Sequence, residues 1–258
     1  MKKRFLLFFA IILPLFAGCT AIHSQNTVTQ VSTIDALLAG VYDGQMSCGE
    51  LKKYGNTGIG TFDHLDGEMI LLNGAFYQVK SDGKVYEPPK ALTTPFAAVC
   101  RFSPDETVGL NSPITYDELK KLLDERVPNQ NLFCTFKIVG RFRNVRARSV
   151  PAQKKPYPPL AKVTAQQPEF TAKDIGGTIV GFRCPPFVKG INVPGYHLHF
   201  LSDSKKFGGH LLAFEMEKGL CAVDICNQFV LILPENLDLL KSVDLSKDRS
   251  KELERVEQ

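Results

Sequence analysis

The sequence predicts an α+β fold dominated by antiparallel or mixed β-sheet, with few helices. Three observations carry that prediction. Hairpin-type dipeptides follow one another at Asp66-Gly67, Asn73-Gly74 and Asp82-Gly83, the punctuation of an antiparallel meander. Leu132 to Val150 is one long run rich in Phe, Val and Ile, residues that favour extended backbone. Clear helix starts are scarce, the best being Thr115 with Glu118 three residues on. That pair forms a capping box ahead of Leu119, Leu122 and Leu123.

In chain order, residues 1 to 19 read MKKRFLLFFAIILPLFAGC. A basic start, an apolar run from Phe5 to Phe16 and the small residues Ala17 and Gly18 make the three-part layout of a bacterial secretory signal. The apolar run is short and broken by Pro14, which argues against a membrane span. Ala17-Gly18-Cys19 is similar to a lipobox, with Phe16 where leucine is usual. An exported protein is therefore expected, lipid-anchored at the cell envelope through Cys19 or else secreted or periplasmic. Residues 20 to 31 are expected to be a solvated tether, with His23 inert in it.

Ser32 or Thr33 is expected to cap a helix through Ile34, Leu37, Leu38 and Val41. Gly55 to Gly60 is glycine-rich, but neither a Lys-Ser/Thr pair nor a helix follows, which excludes a phosphate loop. Strands of the meander are expected at residues 69 to 72, 75 to 79 and 84 to 87. The long extended run carries Arg141, Arg143, Arg146 and Arg148, and an exposed strand face is the ordinary place for most of them. Residues 151 to 159, Pro-Ala-Gln-Lys-Lys-Pro-Tyr-Pro-Pro, fit neither helix nor central strand and read as a connector. Further strands are expected at 176 to 184, 195 to 200, 211 to 216 and 228 to 233. A charged tail from Asn236 to Gln258 follows, with helical spacing at Leu237, Leu240 and Val243. The expected organisation is thus a signal (1–19), a tether (20–31), an N-terminal sheet half (32–150), a connector (151–159) and a C-terminal half (160–258).

Composition narrows the function classes. The 258 residues are 44% hydrophobic and 22% charged, values that exclude a fully disordered chain. Setting Lys2, Lys3 and Arg4 aside leaves 28 basic against 27 acidic residues, which gives a general nucleic-acid binder no support. Beyond Cys19 there are six cysteines: Cys48, Cys100, Cys134, Cys184, Cys221 and Cys226. None forms a Cys-x-x-Cys pair, which argues against a zinc ribbon. A Cys221–Cys226 bridge and free buried thiols stand as equal alternatives.

The chemistry concentrates in one stretch. Of five histidines, His197, His199 and His210 fall within fourteen residues. In a strand, alternate side chains share a face, so His197 and His199 point together while Leu198 and Phe200 point into packing. Ser202 to Gly209 supplies turn residues, and Gly208-Gly209 lets the chain reverse so that His210 lies beside the first two. Three imidazoles converging on zinc, with a position left open, is the catalytic type of site rather than the closed structural type. The bland alternative is a pair of surface histidines on an edge strand. The cupin reading expects a Glu soon after the second His, and Leu201-Ser202-Asp203 does not provide it.

At these residues the chain resembles an acetolactate decarboxylase. The matching stretches are Gly60-Thr61-Phe62 with Leu65-Asp66-Gly67-Glu68, Arg148-Ser149-Val150-Pro151 with Lys155-Pro156-Tyr157, and Gly195-Tyr196-His197-Leu198-His199-Phe200 with Gly208-Gly209-His210. The resemblance covers roughly residues 31 to 258 and implies mostly antiparallel sheet in two related halves, forming one compact two-domain subunit, usually a homodimer. It implies decarboxylation of 2-acetolactate to acetoin, in the acetoin and butanediol branch, through a metal-stabilised enediolate. His197, His199 and His210 are the implied zinc ligands, other divalent metals being possible. Arg148 matches the functional arginine, Glu68 the active-site glutamate, and Thr61 adds a hydroxyl contact. A glutamate near the C-terminus is also implied, for which Glu257 fits best, ahead of Glu254 and Glu252. The competing readings are another exported zinc-dependent lyase or hydrolase, and a non-catalytic surface lipoprotein that serves as a binding module.

Overall fold

The structure, a computed structural model, describes residues 25–236, 238–241 and 243–257. The expected signal, Cys19 and His23 lie outside the described residues. Two large sheets form the body. The first has seven strands in the order β15 (Gln228–Ile232), β1 (Thr27–Val31), β8 (Ala97–Cys100), β3 (Thr57–Thr61), β4 (Glu68–Leu72), β5 (Ala75–Val79) and β6 (Val85–Tyr86). Its neighbours are antiparallel except β1 and β15, which run parallel. The second sheet runs β10 (Ile114–Thr115), β14 (Gly208–Cys226), β11 (Phe133–Arg148), β12 (Glu169–Cys184) and β13 (Gly195–Ser202), with β9 (Glu106–Leu110) also on β14. β13 pairs in turn with the first residues of β14, so the four long strands close into a ring where His210 lies. β2 (Met46–Ser47) and β7 (Thr93–Thr94) make a small separate ribbon.

Six short helices are described: α1 (Ile34–Leu38), α2 (Cys48–Leu51), α3 (Tyr116–Arg126), α4 (Leu160–Thr164), α5 (Asp238–Lys241) and α6 (Ser250–Glu257). Thr33 caps α1, and the Thr115–Glu118 capping box opens α3 as expected. α3 lays Leu119 and Leu123 on Phe136, Ile138 and Phe142 of the second sheet. Arg183 of β12, almost fully buried, pins this helix through Asp124 at 2.8 Å.

The sheets meet through alternate residues of facing strands. Ile70 and Leu72 of β4 pack with Val180, Phe182 and Leu201 of the second sheet. Met69 and Leu71, one step out of phase, face the opposite layer with Leu51 and Phe62. Period-2 alternation therefore turns Glu68, in phase with Ile70, toward the second sheet.

Several expectations need correction. Residues 27–31 of the expected tether are β1, with Val28 to Val31 buried between β15 and β8. Apolar Val28 and Val31 are buried on opposite faces of a central strand, so the polar neighbours are carried in with them. Gly58 and Gly60 lie inside β3 rather than in a loop, because a side chain at Gly60 would strike the Phe96 carbonyl across the sheet. α1 stops at Leu38, since Gly40 takes a positive φ. The division at residues 151–159 does not separate the sheets: β15 returns to the first, while β9, β10 and β11 contribute to the second. The connector is instead a strap. It is held by Tyr157 donating to Asp43, Tyr42 donating to the Pro158 carbonyl and the Gln153 N–H donating to the His64 carbonyl. Cys221 and Cys226 are both buried on β14 and form no bridge, and all six described cysteines are free thiols. No described helix is long and apolar enough to cross a membrane.

Candidate active site

Strand register assembles the site. His199 on β13 lies directly opposite His210 on β14, and His210 lies directly opposite Arg148 on β11. The three form one row across three strands, and alternation brings His197 onto the same face as His199. The chain reverses through residues 203–206, where Lys205 adopts a positive φ, ahead of the two glycines. Gly208 and Gly209 already belong to β14. Gly209 has φ +137°, and a side chain there would sit 2.4 Å from the Arg148 carbonyl, so only glycine lets the strands approach this closely.

The imidazole nitrogens converge. His197 Nε2 lies 3.3 Å from His199 Nε2 and 3.2 Å from His210 Nδ1. All three candidate donor atoms fall within 4.8 Å of one another. His199 Nδ1 donates to the Met69 carbonyl at 2.9 Å, which leaves the Nε2 lone pair facing the cluster. Burial holds all three rings neutral: it lowers His197 to about 3 and the other two well below the usual histidine range, and the Arg148 charge lowers them further.

Charged groups ring this cluster. Arg148 is 4% exposed, donates to the Val256 carbonyl and has Nη2 at 3.1 Å from His210 Nε2. Its three neighbours in the stripe, Arg141, Arg143 and Arg146, are exposed. The register shifts of β11 beside Phe142, Asn144 and Ala147 break simple alternation and turn Arg148 inward. Glu68, paired with Thr61 across β3 and β4, stands 3.6 Å from His199 Nε2. Burial pushes its carboxyl up to about 8, against the pull of Arg148. Glu257, on α6, lies 3.8 Å from His210 Nε2, and burial pushes it up to about 7. Glu254, on the same helix, is exposed, and Glu252 pairs with Arg249 away from the cluster. Thr61 is buried and spends its hydroxyl hydrogen on the Gly67 carbonyl at 2.7 Å.

One small cavity of about 50 Å³ joins these groups: Thr61, Glu68, Arg148, His197, His210 and Glu257 all line it. Its apolar wall, including Leu37, Leu65, Phe96 and Leu160, comes from segments that periodicity marks only as core. Gln167, at the corner between α4 and β12, also lines it, and its polar surroundings in the sequence carry no signal for such a place. His64 lies outside this cavity, half exposed against Asp43, Asp63 and Tyr157.

The geometry is a metal-competent triad of neutral histidines, one buried guanidinium, one buried carboxyl and one partly buried carboxyl around a small cavity. The sequence profile of the family described as "Alpha-acetolactate decarboxylase" matches residues 28–247. A protein of that name from Methanosarcina mazei is 47% identical, over 91% of this chain and 81% of its own length. Another from Methylococcus capsulatus is 43% identical, over 91% of this chain and 90% of its own length. The crystal structure of alpha-acetolactate decarboxylase from Bacillus subtilis superposes with a TM-score of 0.87 at 37% identity, covering 90% of this chain and 99% of that one.

Proposed function

The chain belongs to the alpha-acetolactate decarboxylase family, and from that premise we propose that it converts 2-acetolactate to acetoin with the help of a divalent metal, zinc by preference. The observation that carries the metal is the meeting of three neutral histidine nitrogens in a buried site. The donor set fits zinc: three imidazoles, with the proton of His199 fixed on Nδ1 by Met69. His210 turns Nδ1 toward His197 and Nε2 toward Arg148 and Glu257. When bound, the ion supplies Lewis acidity for the negative charge that decarboxylation leaves on the substrate oxygens.

The protein groups do the rest. Breaking the bond to the carboxylate releases carbon dioxide and leaves an enediolate, which must take one proton at carbon to become acetoin. The N–H groups of Arg148 not committed to Val256 hold the departing carboxylate and then face the developing charge. Glu68 stands beside His199, placed to hold the substrate hydroxyl or to return the proton. Glu257 occupies the corresponding place beside His210. Thr61 has its hydrogen committed to Gly67 and so serves only as an acceptor. The apolar wall excludes water and seats the methyl groups.

The test is acetoin formation from racemic 2-acetolactate by protein lacking residues 1 to 19, with chelator and again after zinc is restored. Activity lost and recovered is the expected result. A folded, zinc-bound protein that makes no acetoin would overturn the reading and point to another zinc-dependent lyase or hydrolase. The N-terminal pattern supports export with a lipid on Cys19, which the mass of the mature N-terminal peptide tests. The family resemblance supports a homodimer, to be tested by light scattering of the purified protein.

A further inference from the structure

Resting on the decarboxylase reading of this cavity, we infer that Gln167 is a substrate-contacting residue whose amide oxygen accepts the hydrogen of the substrate hydroxyl. Gln167 closes the turn after α4, its own N–H donating to the Thr164 carbonyl at 3.2 Å. That turn lies next to α6, against which α4 packs, so the side chain lines the cavity that holds Arg148, Glu68, His197 and Glu257. Its amide oxygen is buried and has no hydrogen-bond partner among the described residues. A buried acceptor left unpaired is disfavoured, so such a group inside a binding cavity is satisfied by what binds there.

The nearest hydroxyl and guanidinium have other acceptors. Thr61 gives its hydrogen to Gly67, and Arg148 donates to Val256 beside His210. A ligand hydroxyl can supply the hydrogen that this amide oxygen lacks. At neutral pH 2-acetolactate carries one O–H, on the carbon that bears the carboxylate; its ketone and carboxylate are acceptors only. The cavity is small, about 50 Å³, so a ligand seated beside Arg148 and His197 lies close to the Gln167 amide. Gln167 would thus discriminate the 2-hydroxy ketone acid from analogues that lack the hydroxyl.

The experiment measures, by carbon dioxide release, how strongly two ligands inhibit the zinc-loaded protein: acetoin, which keeps the hydroxyl, and butane-2,3-dione, which has a second ketone in its place. Gln167→Met keeps the length of the side chain and removes the oxygen; Gln167→Ala carries the test if the first variant does not fold. The expected result is an inhibition constant for acetoin about tenfold higher, with that for butane-2,3-dione within twofold of the parent, the size of one lost hydrogen bond. Both constants unchanged, or both raised equally, would overturn the assignment while parental acetoin formation continues. A parent that makes no acetoin would instead overturn the decarboxylase reading, and this inference with it.

Discussion

Arg148→Ala separates binding of the metal from turnover. The guanidinium is not one of the three candidate ligands, so zinc content is expected to stay near one per chain. Activity is expected to collapse. Removing one charge-stabilising donor from a preorganised site costs on the order of 10²–10³ in kcat, about 2.7–4 kcal/mol. A stability cost comes separately. Arg148 is 4% exposed and donates to the Val256 carbonyl at the end of α6. Losing that donor leaves a buried carbonyl unpaired, roughly 1–3 kcal/mol. At about 2–4 °C per kcal/mol for a chain of this size, Tm should fall by roughly 2–12 °C. The assay pairs acetoin production under saturating acetolactate with zinc analysis and a thermal melt on the same preparation. Near-normal kcat would refute the role given to Arg148. Loss of zinc in step with activity would refute the separation, placing Arg148 among the groups that build the metal site.

Other perturbations have equally definite outcomes. His197→Ala should lose both zinc and acetoin formation while the metal-free protein melts close to the metal-free parent, because this ring is partly open to the cavity; zinc retained in full would count against the triad. Phe142→Ala should destabilise by about 3–5 kcal/mol, since the ring is fully buried edge-on to Phe200 and Phe214; a urea midpoint within error of the parent would contradict the packing. Burial pushes the Asp124 carboxyl up, but hydrogen bonds from Tyr196, Arg183 and Gln130 outweigh it and hold it below its usual value. A carboxyl lowered by folding gives stability that is present above its unfolded pKa of about 3.9 and lost as pH falls through the folded value. Asp124→Asn should therefore flatten the acid limb of a urea-stability profile between about pH 5 and 2, and an unchanged limb would place the acid sensitivity elsewhere. Because all six described cysteines are buried and free, a thiol reagent should label them on unfolding but scarcely in the native protein; fast native labelling would overturn their placement.

Much of the local structure is legible in the chain. The Thr115–Glu118 capping box needs only residues three apart, and it opens α3 where the sequence places it. The dipeptides at 66–67, 73–74 and 82–83 punctuate β4, β5 and β6 because turn chemistry depends on a few adjacent residues. His197 and His199 share a face because strand period is 2. Arg148 is different. Period alone does not distinguish it from Arg146, two residues earlier, and it is the family resemblance that singles it out. In the structure, register shifts along β11 leave Arg146 exposed and bury Arg148 beside His210.

The chain by itself thus determines elements, their caps and which side chains alternate together, since these follow from backbone geometry over a few residues. Tertiary structure decides which faces meet. The site joins residues near 61–68, 148, 167, 197–210 and 257, and no periodicity links positions so far apart. β1 shows the same limit: its polar sequence resembles a tether, yet it is buried because β8 and β15, distant in the chain, offer it backbone partners on both sides. Glu257 rather than Glu254 faces the cavity because Leu253 and Val256 must bury the apolar side of α6 against Ile34, Leu160 and Val163. The orientation of a short helix is set by the surface it covers, and that surface exists only after the sheets have packed.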